Sequence, residues 1–82
     1  MADKRHALIV EDEADAAGMV AALVADRGYS AATAPTLHDA RRQLALQPPD
    51  LLMLDLRLPD GNGLSLLQED PGNNARLAKI WR

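Results

Sequence analysis

Residues 51–63 read LLMLDLRLPDGNG, and this stretch decides how the rest of the chain is interpreted. Leu51–Leu54 is a short apolar run of the kind that parallel sheets bury between two layers of helices. Asp55 ends the run, so the predicted strand carries a carboxylate out of the core to the rim of the sheet. Open α/β sheets bind their ligands at such strand-to-loop junctions. Asp55 is therefore the first candidate for a functional residue.

The second half of the stretch predicts a turn followed by a helix. Pro59 and the cluster Asp60–Gly63 stop the strand, because these residue types favour turns. The apolar pattern then resumes and predicts a helix over about residues 62–69. Pro71–Asn74 breaks this pattern, and the tail over residues 75–82 fits either a helix or the opening of a strand.

Upstream of this stretch, strands alternate with helices. Ala7–Val10 and Ser30–Ala34 predict strands, the second mainly from its context. A helical pattern covers residues 14–27, where Gly28 is expected to end the helix and Gly18 to permit close packing on the sheet. The apolar stripe of this helix consists of Ala16, Val20, Leu23 and Val24.

A second helix is predicted between the second strand and the apolar run. Thr36 followed by Asp39 resembles a capping box with Asp in the place of Glu. Pro48 and Pro49 prevent the helix from continuing. Its apolar stripe consists of Leu37, Ala40 and Leu44.

This alternation predicts an α/β fold with a parallel sheet, and residues 1–82 are expected to form part of one domain. If the strand order is 2-1-3, right-handed crossovers place the first helix on one face of the sheet and the next two on the other. The first strand then lies beside the third.

Composition excludes several classes of protein. The chain has 82 residues, no Cys and a formal net charge of -3. The absence of Cys excludes disulfides and thiolate metal sites and suits a reducing compartment. The net charge gives no support for nucleic-acid binding, which usually shows as a basic face. Without a signal peptide or an apolar run of about 20 residues, the sequence predicts a cytoplasmic protein with no membrane contact.

Acidic residues meet at the rim of the predicted sheet. Glu11 and Asp12 follow the first strand and are expected to lie beside Asp55, at the carboxyl end of the third. Carboxylates so close repel one another, and a divalent cation offsets that repulsion. Oxygen ligands without His or Cys favour Mg²⁺. An Asp held beside such a metal can attack a phosphoryl group and form an aspartyl-phosphate.

These residues resemble the CheY-like receiver domains of two-component response regulators. The resemblance rests on LIVEDE, residues 8–13, and LDLRLPDGNG, residues 54–63, at their spacing. It implies a partial flavodoxin-like fold of three layers, α/β/α. It also implies that Asp55 is the phosphoacceptor and that Glu11 and Asp12 bind Mg²⁺, with the backbone carbonyl of Arg57 as a further ligand. The phosphoryl donor would be a sensor histidine kinase or a phosphotransfer protein, which makes the chain a signalling module of a phosphorelay and not an enzyme.

Two alternatives stand beside this interpretation. Receivers continue through two more strands and helices that carry a Ser or Thr and a Lys, and neither position falls within residues 1–82. The chain therefore resembles a receiver cut inside its fourth strand, and a truncated or degenerate receiver could act as an interaction module without phosphorylation.

A phosphatase of the haloacid-dehalogenase kind also uses Asp as its nucleophile. That chemistry needs a second Asp two residues later, where this chain has Arg57.

The apolar third strand also predicts assembly. Its outer edge has at best Lys79–Arg82 to pair with, and an exposed apolar edge strand is a template for pairing with another chain. We therefore expect a homodimer formed through this edge and the 75–82 tail, by symmetric strand pairing or by exchange of the tail. Residues 71–74 would supply the hinge.

Overall fold

The computed structural model describes residues 5–69 and 77–81. Strands and helices alternate, and a small hairpin lies between the third strand and the third helix. In chain order the elements are β1 Arg5–Val10, α1 Ala14–Asp26, β2 Tyr29–Ala34, α2 Leu37–Leu46, β3 Leu51–Asp55, β4 Arg57–Leu58, β5 Gly61–Asn62, α3 Leu64–Glu69 and β6 Leu77–Trp81. In the described ranges, every helix is too short or too polar to cross a bilayer.

The main sheet is parallel and has the order β2-β1-β3-β6. Its first three strands confirm the predicted order 2-1-3. Within β3, all residues except Met53 are buried, as expected for a strand with neighbours on both sides. The ambiguous tail forms a strand that begins at Leu77, two residues before the predicted Lys79.

The outer edge of β3 is therefore occupied within the same chain. Leu51–Asp55 pairs along its whole length with Leu77–Trp81. The predicted symmetric pairing of β3 with a second chain is wrong in this respect, because the tail supplies a full strand. The predicted exchange of the tail stays a prediction. In the described part of the sheet, the outer strands are β2 and β6. The predicted hinge at residues 71–74 lies outside the described residues.

Helix α1 covers one face of the sheet. Ala17 and Val24 are buried against the sheet residues Ala7, Ile9 and Leu51. Val20 and Ala21 complete this stripe at three- and four-residue spacing. Leu23 lies one residue off the stripe and is 54% exposed, so its predicted place in the core is wrong.

The two glycines of the α1 region differ in their roles. A Cβ at Gly18 would meet nothing within 4 Å, so the expectation that Gly18 permits close packing on the sheet is also wrong. Gly28 ends the helix as predicted, with a φ of 94° that favours glycine. Its N–H donates to the carbonyl of Ala25, and Tyr29 packs against the core beneath α1.

Helices α2 and α3 cover the other face, as predicted. Leu37 and Ala40 of α2 and Leu66 of α3 are buried in one cluster with sheet residues. The predicted cap is present, because Thr36 Oγ1 accepts a hydrogen bond of 3.0 Å from the Asp39 N–H. The residues of the main sheet that are buried in this cluster are Leu8, Val10, Ala34, Leu52 and Leu54.

Candidate functional site

The candidate site lies at the carboxyl ends of β1 and β3. The two strands are parallel neighbours, and Val10 pairs in register with Leu54. The residues that follow, Glu11 and Asp55, therefore leave the sheet side by side. The register thus brings together carboxylates that stand far apart in the sequence.

The three predicted acids converge at this rim. Each of Glu11, Asp12 and Asp55 offers a carboxylate oxygen, and these atoms lie within 4.8 Å of one another. Glu11 is 1% exposed and Asp55 is 0% exposed, whereas Asp12 is exposed. Two of the carboxyl groups are therefore shielded from bulk water, and the third faces solvent.

Backbone groups hold the two buried carboxylates in the same manner. The N–H of Glu13 donates to Glu11 Oε2 at 3.2 Å, and the N–H of Arg57 donates to Asp55 Oδ1 at 3.0 Å. Each acid thus accepts a bond from the residue two positions later, and for Asp55 this contact is an Asx turn. The N–H of Glu11 also donates to the carbonyl of Ala34, which ties the rim to β2.

A hairpin follows Asp55 directly. Strands β4 and β5 pair Arg57 with Asn62 and Leu58 with Gly61, so Pro59 and Asp60 form the turn. Asn62 Oδ1 accepts a 2.8 Å bond from the Leu64 N–H. Because the hairpin includes Asn62, helix α3 begins at Leu64 and not at the predicted residue 62.

Gly63 closes this loop against the strand. Its N–H donates to the carbonyl of Leu56 at 2.9 Å. A Cβ at this position would overlap the carbonyl oxygen of Asp55 and would lie 2.9 Å from Leu54 Cδ1. Only a residue without a side chain fits here, so the loop can pass directly over the end of β3.

Asp60 joins the hairpin to the first turn of α2. Its Oδ1 accepts a bond of 2.8 Å from the Leu37 N–H, and its Oδ2 accepts one of 3.1 Å from the His38 N–H. The Leu37 bond is the main cause that lowers the pKa of Asp60 below its ordinary value of 3.8. The stability that these bonds contribute is therefore present above pH 3.8 and is lost as the pH falls through the lower pKa of the folded chain.

The sequence pattern predicts a turn over residues 60–63 but not these specific contacts. The bond from the Leu64 N–H to Asn62 has a local signal, since Asn side chains commonly accept from the backbone two residues later. The bond from Leu37 to Asp60 spans 23 residues, so no local pattern predicts it. For Gly63, the repeated glycine indicates a turn but does not identify the neighbouring carbonyl.

A comparison with protein families decides the class of this chain. The model of the response regulator receiver domain matches residues 7–75. This chain belongs to the response regulator receiver domain family. The match includes the acidic residues after β1, Asp55 and the hairpin.

Individual receivers agree with this assignment. Response regulator protein PilR of Pseudomonas aeruginosa is 38% identical over 65 residues, which are 79% of this chain and 15% of PilR. The chain thus spans a small part of that relative. The CheY-like receiver domain from Methylobacillus flagellatus has a TM-score of 0.84 at 28% identity and covers 95% of this chain and 70% of that one.

A third solved structure is similar in fold alone. This structure is a response regulator from Burkholderia pseudomallei with a phosphorylated aspartic acid, a calcium ion and citrate. Its TM-score is 0.82 at 24% identity, and the likeness covers 93% of this chain and 46% of that one.

Proposed function

We propose that this receiver accepts a phosphoryl group on Asp55 in a reaction that depends on Mg²⁺. The observation that carries the proposal is the cluster of Glu11, Asp12 and Asp55, whose carboxylate oxygens lie within 4.8 Å of one another. Asp55 is buried, sits at the end of β3 and accepts a bond from the Arg57 N–H. A nucleophile needs this kind of fixed orientation.

The residues at the rim fit a hard divalent cation. Carboxylates of Glu11, Asp12 and Asp55 would hold Mg²⁺, together with the backbone carbonyl of Arg57 and water. The metal would neutralise charge on the cluster and on the incoming phosphoryl oxygens. Glu11 is buried and has its carboxylate held by the Glu13 N–H, so one ligand is already positioned.

The proposed phosphoryl donor is a phosphohistidine of a sensor histidine kinase or of a phosphotransfer protein. A carboxylate oxygen of Asp55 forms the new bond to phosphorus while the bond from phosphorus to the histidine nitrogen breaks. The imidazole leaves with the electron pair of that bond and takes up a proton from water. The chain itself contributes orientation through the Arg57 N–H, since positioning and charge neutralisation supply most of the catalysis of phosphoryl transfer.

Acetyl phosphate tests this proposal directly, because it is a small donor that needs no partner protein. With Mg²⁺ present, intact mass spectrometry should show the addition of one phosphoryl group. Chelation of Mg²⁺ and the substitution Asp55→Asn should each abolish the addition. Asp26→Asn is the matched control, since Asp26 is an exposed acid at the end of α1 and should leave labelling unchanged.

Two outcomes would contradict the assignment. Labelling that persists in Asp55→Asn would place the acceptor elsewhere. No labelling of the folded wild-type chain at any Mg²⁺ concentration would favour the alternative, a receiver that acts as an interaction module without phosphorylation.

We propose that the homodimer forms through β6. Strand β6 is an outer strand of the described sheet, and outer strands present backbone groups that a second chain can pair with. Pairing through β6, or exchange of β6 between two chains, should give twice the monomer mass in light scattering. A folded monomer at high micromolar concentration would contradict this assembly.

A further inference from the structure

The hairpin next to the proposed phosphoacceptor is attached to the protein at both of its ends. At its base, the Arg57 N–H donates to Asp55 Oδ1 at 3.0 Å. At its tip, Asp60 accepts bonds from the N–H groups of Leu37 and His38. Strand pairing between Arg57–Leu58 and Gly61–Asn62 connects the two ends. A displacement of the tip is therefore transmitted to the peptide groups of Arg57.

The contact between the tip and α2 is close. Gly61 has a φ of 145°, and a Cβ there would lie 2.9 Å from Leu37 Cδ1. Leu58 is buried in the same core cluster as Leu37. The hairpin thus meets α2 through packing as well as hydrogen bonds, and Leu37 takes part in both.

The carboxylate of Asp60 also completes the cap of α2. Thr36 Oγ1 accepts the bond from the Asp39 N–H, and Asp60 accepts those from the two preceding residues of the helix. The first three N–H groups of the helix have no partner within the helix, so all three are satisfied from outside. A negative charge at this end is also favoured by the helix dipole. Asp60 is therefore held by two backbone donors at the positive end of α2.

We propose that Asp60 is a positioning residue for the phosphoacceptor site. By fixing the hairpin to α2, Asp60 keeps the Arg57 N–H on the Asp55 carboxylate and fixes the peptide whose carbonyl is the proposed metal ligand. The metal part of this inference rests on the proposed function. The positioning of the Arg57 N–H does not.

Asp60→Ala and Thr36→Ala form a matched pair that tests the inference. Both substitutions remove a cap from the same helix, but only Asp60→Ala releases the hairpin. Asp60→Ala should weaken Mg²⁺ binding, measured by amide NMR titration, by about 10-fold, the size expected for a residue that orients a ligand. Thr36→Ala should leave the Mg²⁺ affinity within about twofold of wild type. Asp60→Asn keeps an acceptor for the Leu37 N–H and should restore most of the affinity.

Hydrogen exchange of the Arg57 amide provides a readout that does not need metal. Asp60→Ala should accelerate this exchange, and Thr36→Ala should not. The inference is overturned if Asp60→Ala leaves both quantities at the wild-type values, or if Thr36→Ala changes them equally. If wild type binds no Mg²⁺, the proposed metal site fails, and the Arg57 exchange rates alone decide the role of Asp60. If Asp60→Ala does not fold, the comparison of Asp60→Asn with Thr36→Ala decides it.

Discussion

Gly63→Ala should destabilise the chain by about 2 kcal/mol or more, because the new methyl group has no room. It would overlap the carbonyl oxygen of Asp55 and press on the side chain of Leu54. Both neighbours belong to β3, which pairs with β1 and β6 and cannot move independently. A small domain has a total stability of roughly 5–15 kcal/mol, so the loss is a large share. Urea unfolding followed by circular dichroism measures it.

Gly18→Ala is the matched control for this experiment. It adds the same methyl group inside α1, where nothing lies within 4 Å. Alanine is favoured over glycine within a helix by about 1 kcal/mol, so this variant should be more stable than wild type. If Gly63→Ala lowers the stability and Gly18→Ala raises it, the space at each position decides the effect, and not the loss of a glycine as such. Equal stability of Gly63→Ala and wild type would contradict the described approach of the loop to β3.

Mg²⁺ should raise the stability of the wild-type chain and have little effect on Asp55→Asn. A ligand that binds only the folded state stabilises it by about 2.7 kcal/mol at 100 times its dissociation constant. Asp55→Asn removes one of the three clustered carboxylates, and with it a ligand for the metal. Without metal, the same substitution should stabilise the chain, since it relieves repulsion between Asp55 and the buried Glu11.

The measurement is unfolding with MgCl₂ and with NaCl at equal ionic strength. Asp26→Asn again provides the control, because an exposed acid on α1 should leave the response to Mg²⁺ at the wild-type value. A response to Mg²⁺ of equal size in wild type and Asp55→Asn would rule out Asp55 as a ligand. The absence of a response in wild type would rule out the metal site itself.

Much of this protein was predictable from the sequence because the signals are local. The apolar run before Asp55 predicts a strand buried on both faces, and β3 has that burial. Thr36 with Asp39 predicts the start of α2, and Gly28 predicts the end of α1. Each of these signals acts between residues at most a few positions apart. The convergence of the acids is not a local signal and followed only with the strand order 2-1-3, which places the carboxyl ends of the first and third strands at one rim.

Other features were decided only by the tertiary structure. Leu23 belongs to the apolar pattern of α1 but lies off the stripe that meets the sheet, because the exact rotation of the helix depends on packing. The pairing of β3 with residues 77–81 and the bond from Leu37 to Asp60 join parts of the chain more than 20 residues apart. Such contacts depend on the relative placement of whole elements. Local sequence therefore determined which residues form the strands and helices and which acids follow the strands. Packing and strand register determined how these acids meet and how the loop that carries Arg57 is held beside them.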